Sequence, residues 1–370
     1  MDFSLSEEEI MIRDTARAFV EKELSHAPLL KPGATIASAD YEGHWRKMVE
    51  LGWQALVIPE KFGGLGMDCV SLSLIAGELG RGAVPSPFLG NLMGVWAMIR
   101  CASDAQNQQL LSKVAAGEAR LALAALDGPD GVAAEKMAAK DLGAAFELTG
   151  VCPFVIDASG ADWLIVAARG KNGARGLYLV EASAPGVEIS VLPWRDVTRQ
   201  VCELRLTGVA AACLRADIAS DWDWISDRIS LALAVEGAAG MRSLLERTVA
   251  YAKERYAFGR PIGANQAIKH TLAELLGRVE CAEVASLYAA LALSKETPDA
   301  GLYASVAKSY VSQHSPEAAR ISIQSHGAIG FTWEMPIHLY YKRALANALM
   351  FGDARHHRRR ALELFRAEAA

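Results

Sequence analysis

The chain has 370 residues, of which 52% are hydrophobic and 22% charged, with a formal net charge of -5, a balance that fits a folded globular enzyme and excludes a disordered or fibrous chain. Its length predicts two or three packed units. The acidic balance argues against general nucleic-acid binding, which needs a domain-wide basic excess. The six cysteines form no CxxC pair, so no metal site or disulfide framework is expected.

In chain order, apolar residues first recur at helical spacing, as in Ile10, Ile12, Ala16, Phe19 and Val20. Ser6 followed by Glu9 has the form of a capping box. Further helices are predicted over residues 41–51 and 71–79, closed by Gly52 and Gly80 as C-cap glycines. The chain opens without a basic region followed by an apolar one. Nor does any apolar run approach the roughly 18 residues of a membrane span, so a soluble, cytoplasmic protein is expected.

Residues 119–218 change to short apolar runs at 121–125, 163–168, 176–180 and 187–192, separated by glycine, proline and aspartate. These predict strands, and the lack of intervening helical segments favours an antiparallel sheet or small barrel over parallel units. Long helical stretches then return at 224–254, 267–295, 303–327 and 337–350, predicting a four-helix bundle. The expected fold class is α+β, mainly α. Its parts are a helical domain over 1–118, a middle antiparallel β-barrel or sandwich over 119–218, and a C-terminal four-helix bundle over 219–370. The basic run at 355–360 is expected in the last turn of a C-terminal helix, where the helix dipole favours cations.

Three segments carry more specific information. Residues 52–66 (GWQALVIPEKFGGLG) resemble the "hGhxxhxhPexyGGxG" stretch of the flavin-dependent acyl-CoA dehydrogenases. Residues 251–262 (YAKERYAFGRPI), running on to Gln266, are similar to that family's "YaxxRxxFGxpI…Q" signature, and residues 324–332 (QSHGAIGFT) to its "QxxGgxGf" turn. Their chemistry is coherent without the resemblance. Arg255 offers a rigid fork of donors suited to a pyrophosphate, Phe258 a ring to pack on a dinucleotide, and Gln324 with Gly327 and Gly330 a close backbone approach. The competing structural roles are a helix C-cap for Arg255 and simple chain turns for the glycines.

The resemblance implies FAD as cofactor, an acyl-CoA substrate and an electron-transfer flavoprotein or similar acceptor. It also implies that Arg255, Phe258, Gln266, Gln324, Gly327, Ala328 and Gly330 grip the adenosine diphosphate half of an FAD whose ring lies in the neighbouring subunit, with Phe154 packing on the ring of the chain's own flavin. Such sharing implies an oligomer, either of this chain alone or with a second acyl-CoA dehydrogenase-like chain. The chain also resembles the short companion subunits of heteromeric dehydrogenases acting on steroid side-chain CoA esters.

The departures lie on the ring side. Dehydrogenation needs a carboxylate to take the α proton, and the family usually places a glutamate before the glycine of a "YEG" element. Here Phe351 stands there, before Gly352. A minority of members carry the glutamate seven residues before the first glycine of a "GxxG" pair, which is Ser230 here. Asp353 and, less favourably placed, Glu236 are the remaining candidate bases; for Asp353 the alternative is a capping role. The family's "EPxAGSD" loop is replaced by Leu126 to Gly131, and its "WITN" strand by Phe154, Val155, Ile156 and Asp157, so that Ile156 has no hydroxyl to donate toward the flavin. Three readings stay open: a companion subunit in an α2β2 assembly, a self-sufficient homotetramer with a displaced base, and a flavoprotein oxidase of the same fold.

Overall fold

A computed structural model of the chain describes residues 5–125, 136–143, 145–171 and 173–368. The first helix, α1 (Glu7–Glu23), begins at the expected capping box: Ser6 Oγ accepts the Glu9 amide at 3.2 Å, and Glu9 Oε2 accepts the Ser6 amide at 2.7 Å. Helix α2 (Tyr41–Glu50) ends before Gly52, whose φ of 76° gives the left-handed turn expected there. Helix α3 (Cys69–Gly82) runs past Gly80, contrary to expectation, and terminates on Ala83 in the left-handed region. Gly80 serves packing instead, because a Cβ there would lie 2.5 Å from the Glu236 Cα on a neighbouring helix. Two further helices, α4 (Phe88–Cys101) and α5 (Asp104–Ala115), complete this part. Nearly all of α4 is buried, so it lacks the polar face that makes a helix visible as a pattern.

Seven strands follow: β1 (Leu121–Ala124), β2 (Met137–Asp141), β3 (Phe146–Ile156), β4 (Trp163–Arg169), β5 (Arg175–Glu181), β6 (Val187–Val191) and β7 (Val201–Arg215). The pairings β4–β5, β5–β7, β7–β3 and β3–β2 are antiparallel, and a β2–β4 bridge closes the ring into a small barrel. The antiparallel expectation needs one correction: β1 pairs with β4, and β2 with β4, in parallel. Strand β1 can run parallel to β4 because the chain between them passes through β2 and β3 before returning. Side chains such as Leu148, Leu164, Val180, Leu204 and Val209 fill the barrel.

The C-terminal part contains α6 (Trp222–Glu254), a β8–β9 hairpin (Tyr256–Ala257 and Arg260–Pro261), α7 (Gln266–Ser294), α8 (Ala300–His326) and α9 (Ile337–Leu349). These are the expected four helices, joined by a fifth, α10 (Ala354–Glu368), packed on α8. Arg355 to Arg360 therefore occupy the opening turns of α10 and not its last turn. The unfavourable dipole is offset there by Asp353, whose carboxylate accepts the His356 amide at 2.8 Å, and by the Arg360–Asp227 ion pair at 2.5 Å. No helix among the described residues is long and apolar enough to cross a membrane.

Candidate functional site

The ends of α6 and α8 lie side by side. Tyr251 stacks on His326 with ring centroids 4.3 Å apart, and its hydroxyl donates to the His326 carbonyl at 3.3 Å. This junction fixes the segments that follow each helix. Arg255 is the C-cap of α6 and reaches into solvent; its side chain has no ion pair or hydrogen bond among the described residues. Helix capping and phosphate binding are thus compatible in this residue, since capping engages its backbone amide on the Tyr251 carbonyl at 2.8 Å and leaves the guanidinium free.

Phe258 and Gly259 form the tip of the β8–β9 hairpin, both with positive φ (53° and 78°). A two-residue turn of this kind favours asparagine followed by glycine, whereas phenylalanine in the left-handed region costs about 1–2 kcal/mol. The fully exposed ring therefore sits at a strained position without packing of its own. Gln266 opens α7 in an exposed position. Gly327 ends α8 at φ 66°, ψ -145°, a region that glycine alone occupies readily. A Cβ at Gly330 would meet the Ile323 carbonyl at 2.8 Å, while Ala328 is exposed. Between α7 and α8 runs a groove of about 490 Å³ that includes Gln324 and Phe331. A free guanidinium, an exposed ring and a backbone open at Gly327 fit the adenosine diphosphate half of FAD.

The residues that would meet a flavin ring do not fit as well. Phe154 is half-exposed and pairs with Trp194 at 6.0 Å, leaving a face available, but Ile156 is buried and offers no donor. The segment Leu126 to Gly131 lies outside the described residues. Phe351 is buried, with φ 54°, and stacks on Trp222 at 6.4 Å. Ser230 is buried too, and its hydroxyl has no hydrogen-bond partner among the described residues. Asp353 caps α10, and the His356 and Arg355 amides hold its carboxyl below the usual carboxylate range. That favours the anion and weakens it as a base.

The turn carrying Phe351 is pinned from within. The Lys308 ammonium, only 1% exposed, donates to Ser312 Oγ at 2.9 Å, the Asn347 carbonyl at 2.8 Å and the Gly352 carbonyl at 3.1 Å. His357 bonds the Phe351 carbonyl at 2.8 Å. Burial lowers Lys308 to about 7, although three acceptors match its three donors.

One turn before Phe351, and less than two turns after Ser230, the junction of α3, α6, α8 and α9 is closed by charge. Glu236 Oε2 accepts Arg199 Nη2 at 2.6 Å and Asn347 Nδ2 at 3.1 Å, and lies 3.6 Å from Arg343. Arg343 also reaches Asp196 at 3.2 Å and donates to the Thr198 carbonyl at 2.7 Å. Burial alone would raise the Glu236 carboxyl, but Arg199 and then Arg343 outweigh it and hold it below its ordinary value. This is the opposite of what a general base in this place needs. The free space lined by Glu236, Gly237, Arg343 and Asn347 is about 10 Å³, room for a single water.

Residues 6–118 match the acyl-CoA dehydrogenase N-terminal domain and residues 227–363 the acyl-CoA dehydrogenase C-terminal domain. Acyl-CoA dehydrogenase IpdE2 of Mycobacterium tuberculosis is 31% identical over 350 residues, covering 94% of each chain. The chain belongs to the acyl-CoA dehydrogenase family. Members of this family are oxidoreductases acting on the CH–CH group of acyl-CoA thioesters and are FAD-binding flavoproteins. Among solved structures, a variant of the Tcur3481-Tcur3483 steroid ACAD matches with a TM-score of 0.88 and 28% identity over 99% of each chain. The ChsE4-ChsE5 complex from Mycobacterium tuberculosis matches with a TM-score of 0.87 over 98% of each chain, at 24% identity, which shows the shared fold.

Sequence reasoning missed Arg199, Asp196, Arg343 and Lys308. The available signal was a charged residue inside an apolar helical run, as at Glu236 within LALAVEGAAG. Such a residue, if buried, demands a partner.

Proposed function

We propose that this chain is the companion subunit of a heteromeric acyl-CoA dehydrogenase, lending its exposed cradle to an FAD whose ring and catalytic base lie in a second, related chain. The observation that carries this reading is the closed junction of α3, α6, α8 and α9. Both base slots hold residues without a carboxylate, Phe351 and Ser230, and Glu236, the buried carboxylate that follows Ser230 on α6, is held as an anion by Arg199 and Arg343. The cradle, at the far end of α6 from Glu236, keeps Arg255, Phe258 and Gln324 exposed.

FAD, when bound, supplies the two-electron acceptor for the hydrogens leaving the α and β carbons of the thioester. This chain's part is to bind and orient. Arg255 holds phosphate charge, Phe258 covers a planar group, and Gly327 lets the backbone approach. Gln266, Gln324 and Ala328 complete the surface, and Gly330, buried against Ile323, lets the turn beneath it pack closely. Proton abstraction falls to the partner, because Asp353 is committed to capping α10. The similarity to a steroid ACAD at 28% identity supports a bulky acyl-CoA as the assembly's substrate, with an electron-transfer flavoprotein or similar acceptor reoxidising the cofactor.

The test is native mass measurement with flavin stoichiometry on the assembly purified through a tag on this chain. The expected result is an α2β2 complex with one FAD per pair of unlike chains. A homotetramer carrying four FAD and oxidising acyl-CoA without a second chain would overturn the proposal.

A further inference from the structure

The groove between α7 and α8 contains a cation that the family signatures do not include. Arg320 lies one turn before Gln324 on α8, so both side chains point from one face of the helix, and both line the groove of about 490 Å³ with Thr271 of α7. Ile268, Ile321 and Phe331 give it an apolar floor. Arg320 is exposed and has no ion pair or hydrogen bond among the described residues. The acidic residue nearest to it along α8, Glu317, is already engaged by Arg278 at 2.9 Å and by His314 at 3.3 Å. The groove thus combines a flat apolar bed with one unneutralised guanidinium, an amide and a hydroxyl.

That combination matches a planar heteroaromatic base with an anionic tail: the bed takes the ring, the amide and hydroxyl take its edge or a ribose, and the cation takes a phosphate. An acyl chain would not use the cation, and an acidic peptide would not use the bed. We infer that Arg320 is a second phosphate-binding residue, acting beside Arg255 on the adenosine diphosphate half of the partner-held FAD, and that it helps the assembly select FAD over FMN. This rests on the proposed function, in which the exposed face serves a dinucleotide.

The experiment uses the assembly isolated through a tag on this chain, stripped of flavin and titrated with FAD and with FMN by flavin fluorescence. Arg320→Ala is expected to weaken FAD binding about 10- to 100-fold, in the range of a charge-assisted hydrogen bond. FMN binding should stay unchanged, and Arg320→Lys should recover part of the FAD affinity. Arg255→Ala serves as the reference. If Arg255→Ala weakens FAD binding and Arg320→Ala does not, the role of Arg320 is overturned while the proposed function stands. If neither substitution changes FAD binding, or the assembly carries no flavin, the reading of this whole face fails. Equal losses for FAD and FMN would also overturn the inference, since FMN lacks the adenylate that Arg320 is taken to serve.

Discussion

Replacing Glu236 should destabilise the chain more than any surface substitution, by an amount that follows from its neighbours. Glu236 is 7% exposed, Arg199 3% and Arg343 7%. Arg343 keeps Asp196 when Glu236 is neutralised, but Arg199 loses its only carboxylate within 4 Å among the described residues. Removing one member of a buried pair costs about 3 to 5 kcal/mol, because the other charge stays buried with its closest partner gone, here leaving Arg199 only the more distant Asp157 and Asp196. Glu236→Gln keeps an acceptor for Arg199 and belongs near 3 kcal/mol; Glu236→Leu removes it and belongs near 5. The double variant Arg199→Met with Glu236→Leu removes both charges and should recover most of the loss. Urea titration followed by far-UV circular dichroism measures all three together with the single Arg199→Met variant. A cost below about 1 kcal/mol for Glu236→Gln, or a double variant as unstable as the two single changes added together, would refute the paired-charge argument. Wild-type stability with turnover abolished would instead identify Glu236 as the base.

Arg255→Ala should lower FAD retention by the assembly about tenfold or more, read as flavin per protein after gel filtration. Phe258→Asn should also lower retention while leaving stability equal or slightly higher, since asparagine tolerates the left-handed turn and the ring makes no contact within the chain; a clear loss of stability would contradict the hairpin geometry. Asp353→Asn should leave the assembly's acyl-CoA oxidation at the wild-type rate and cost about 1 kcal/mol or less as a weakened cap, and loss of turnover would restore Asp353 as the base. Stability should fall as the pH drops from 6.5 towards 4 and below. His26 is held at about 4 by burial, as is His338, while burial and then Lys308 push His357 to about 3, so across this range the unfolded chain binds more protons. Asp157, raised to about 6 by burial, acts the other way between 3.8 and 6. His357→Gln should flatten the acid limb of the curve, and an unchanged slope would show that His357 does not contribute.

The first helix and the hairpin segment of the candidate cradle could be read from sequence because each involves residues close in the chain. Ser6 and Glu9 meet within one turn, and Arg255, Phe258 and Gln266 occupy one short segment. Helix α4 was not legible, because burial on every side erases the helical period, and neither was the fifth bundle helix behind its basic opening turns. Strand β7 has hydroxyl, glycine and alanine residues where clear alternation is needed. The charged junction was least accessible: Arg199, Glu236 and Arg343 come from a loop after β6, from α6 and from α9, and no local pattern connects them. The missing base was legible only as two substitutions, whereas the engagement of Glu236 by Arg199 and Arg343 is a property of packing.

Why a closed junction should be held by buried charges, when apolar side chains would close it at least as stably, has an answer in the helices it joins. Arg255 lies nineteen residues along α6 from Glu236, roughly 28 Å at the helical rise, so a small change in the rotation or register of α6 is carried to the cradle. Apolar contacts tolerate sliding by a fraction of a turn. A carboxylate shared by Arg199 and Asn347, with Arg343 tied to Asp196 and Thr198, does not, since each displaced partner becomes a buried unpaired polar group. The junction joins α6 and α9 to the loop before β7, and Tyr251 on His326 joins α6 to α8 at the other end. A chain that offers half a cofactor site to another subunit has no bound ring of its own to order its helices. On the companion reading, the charges stand in the place of that ring and fix the register at which Arg255 and Gln324 are presented.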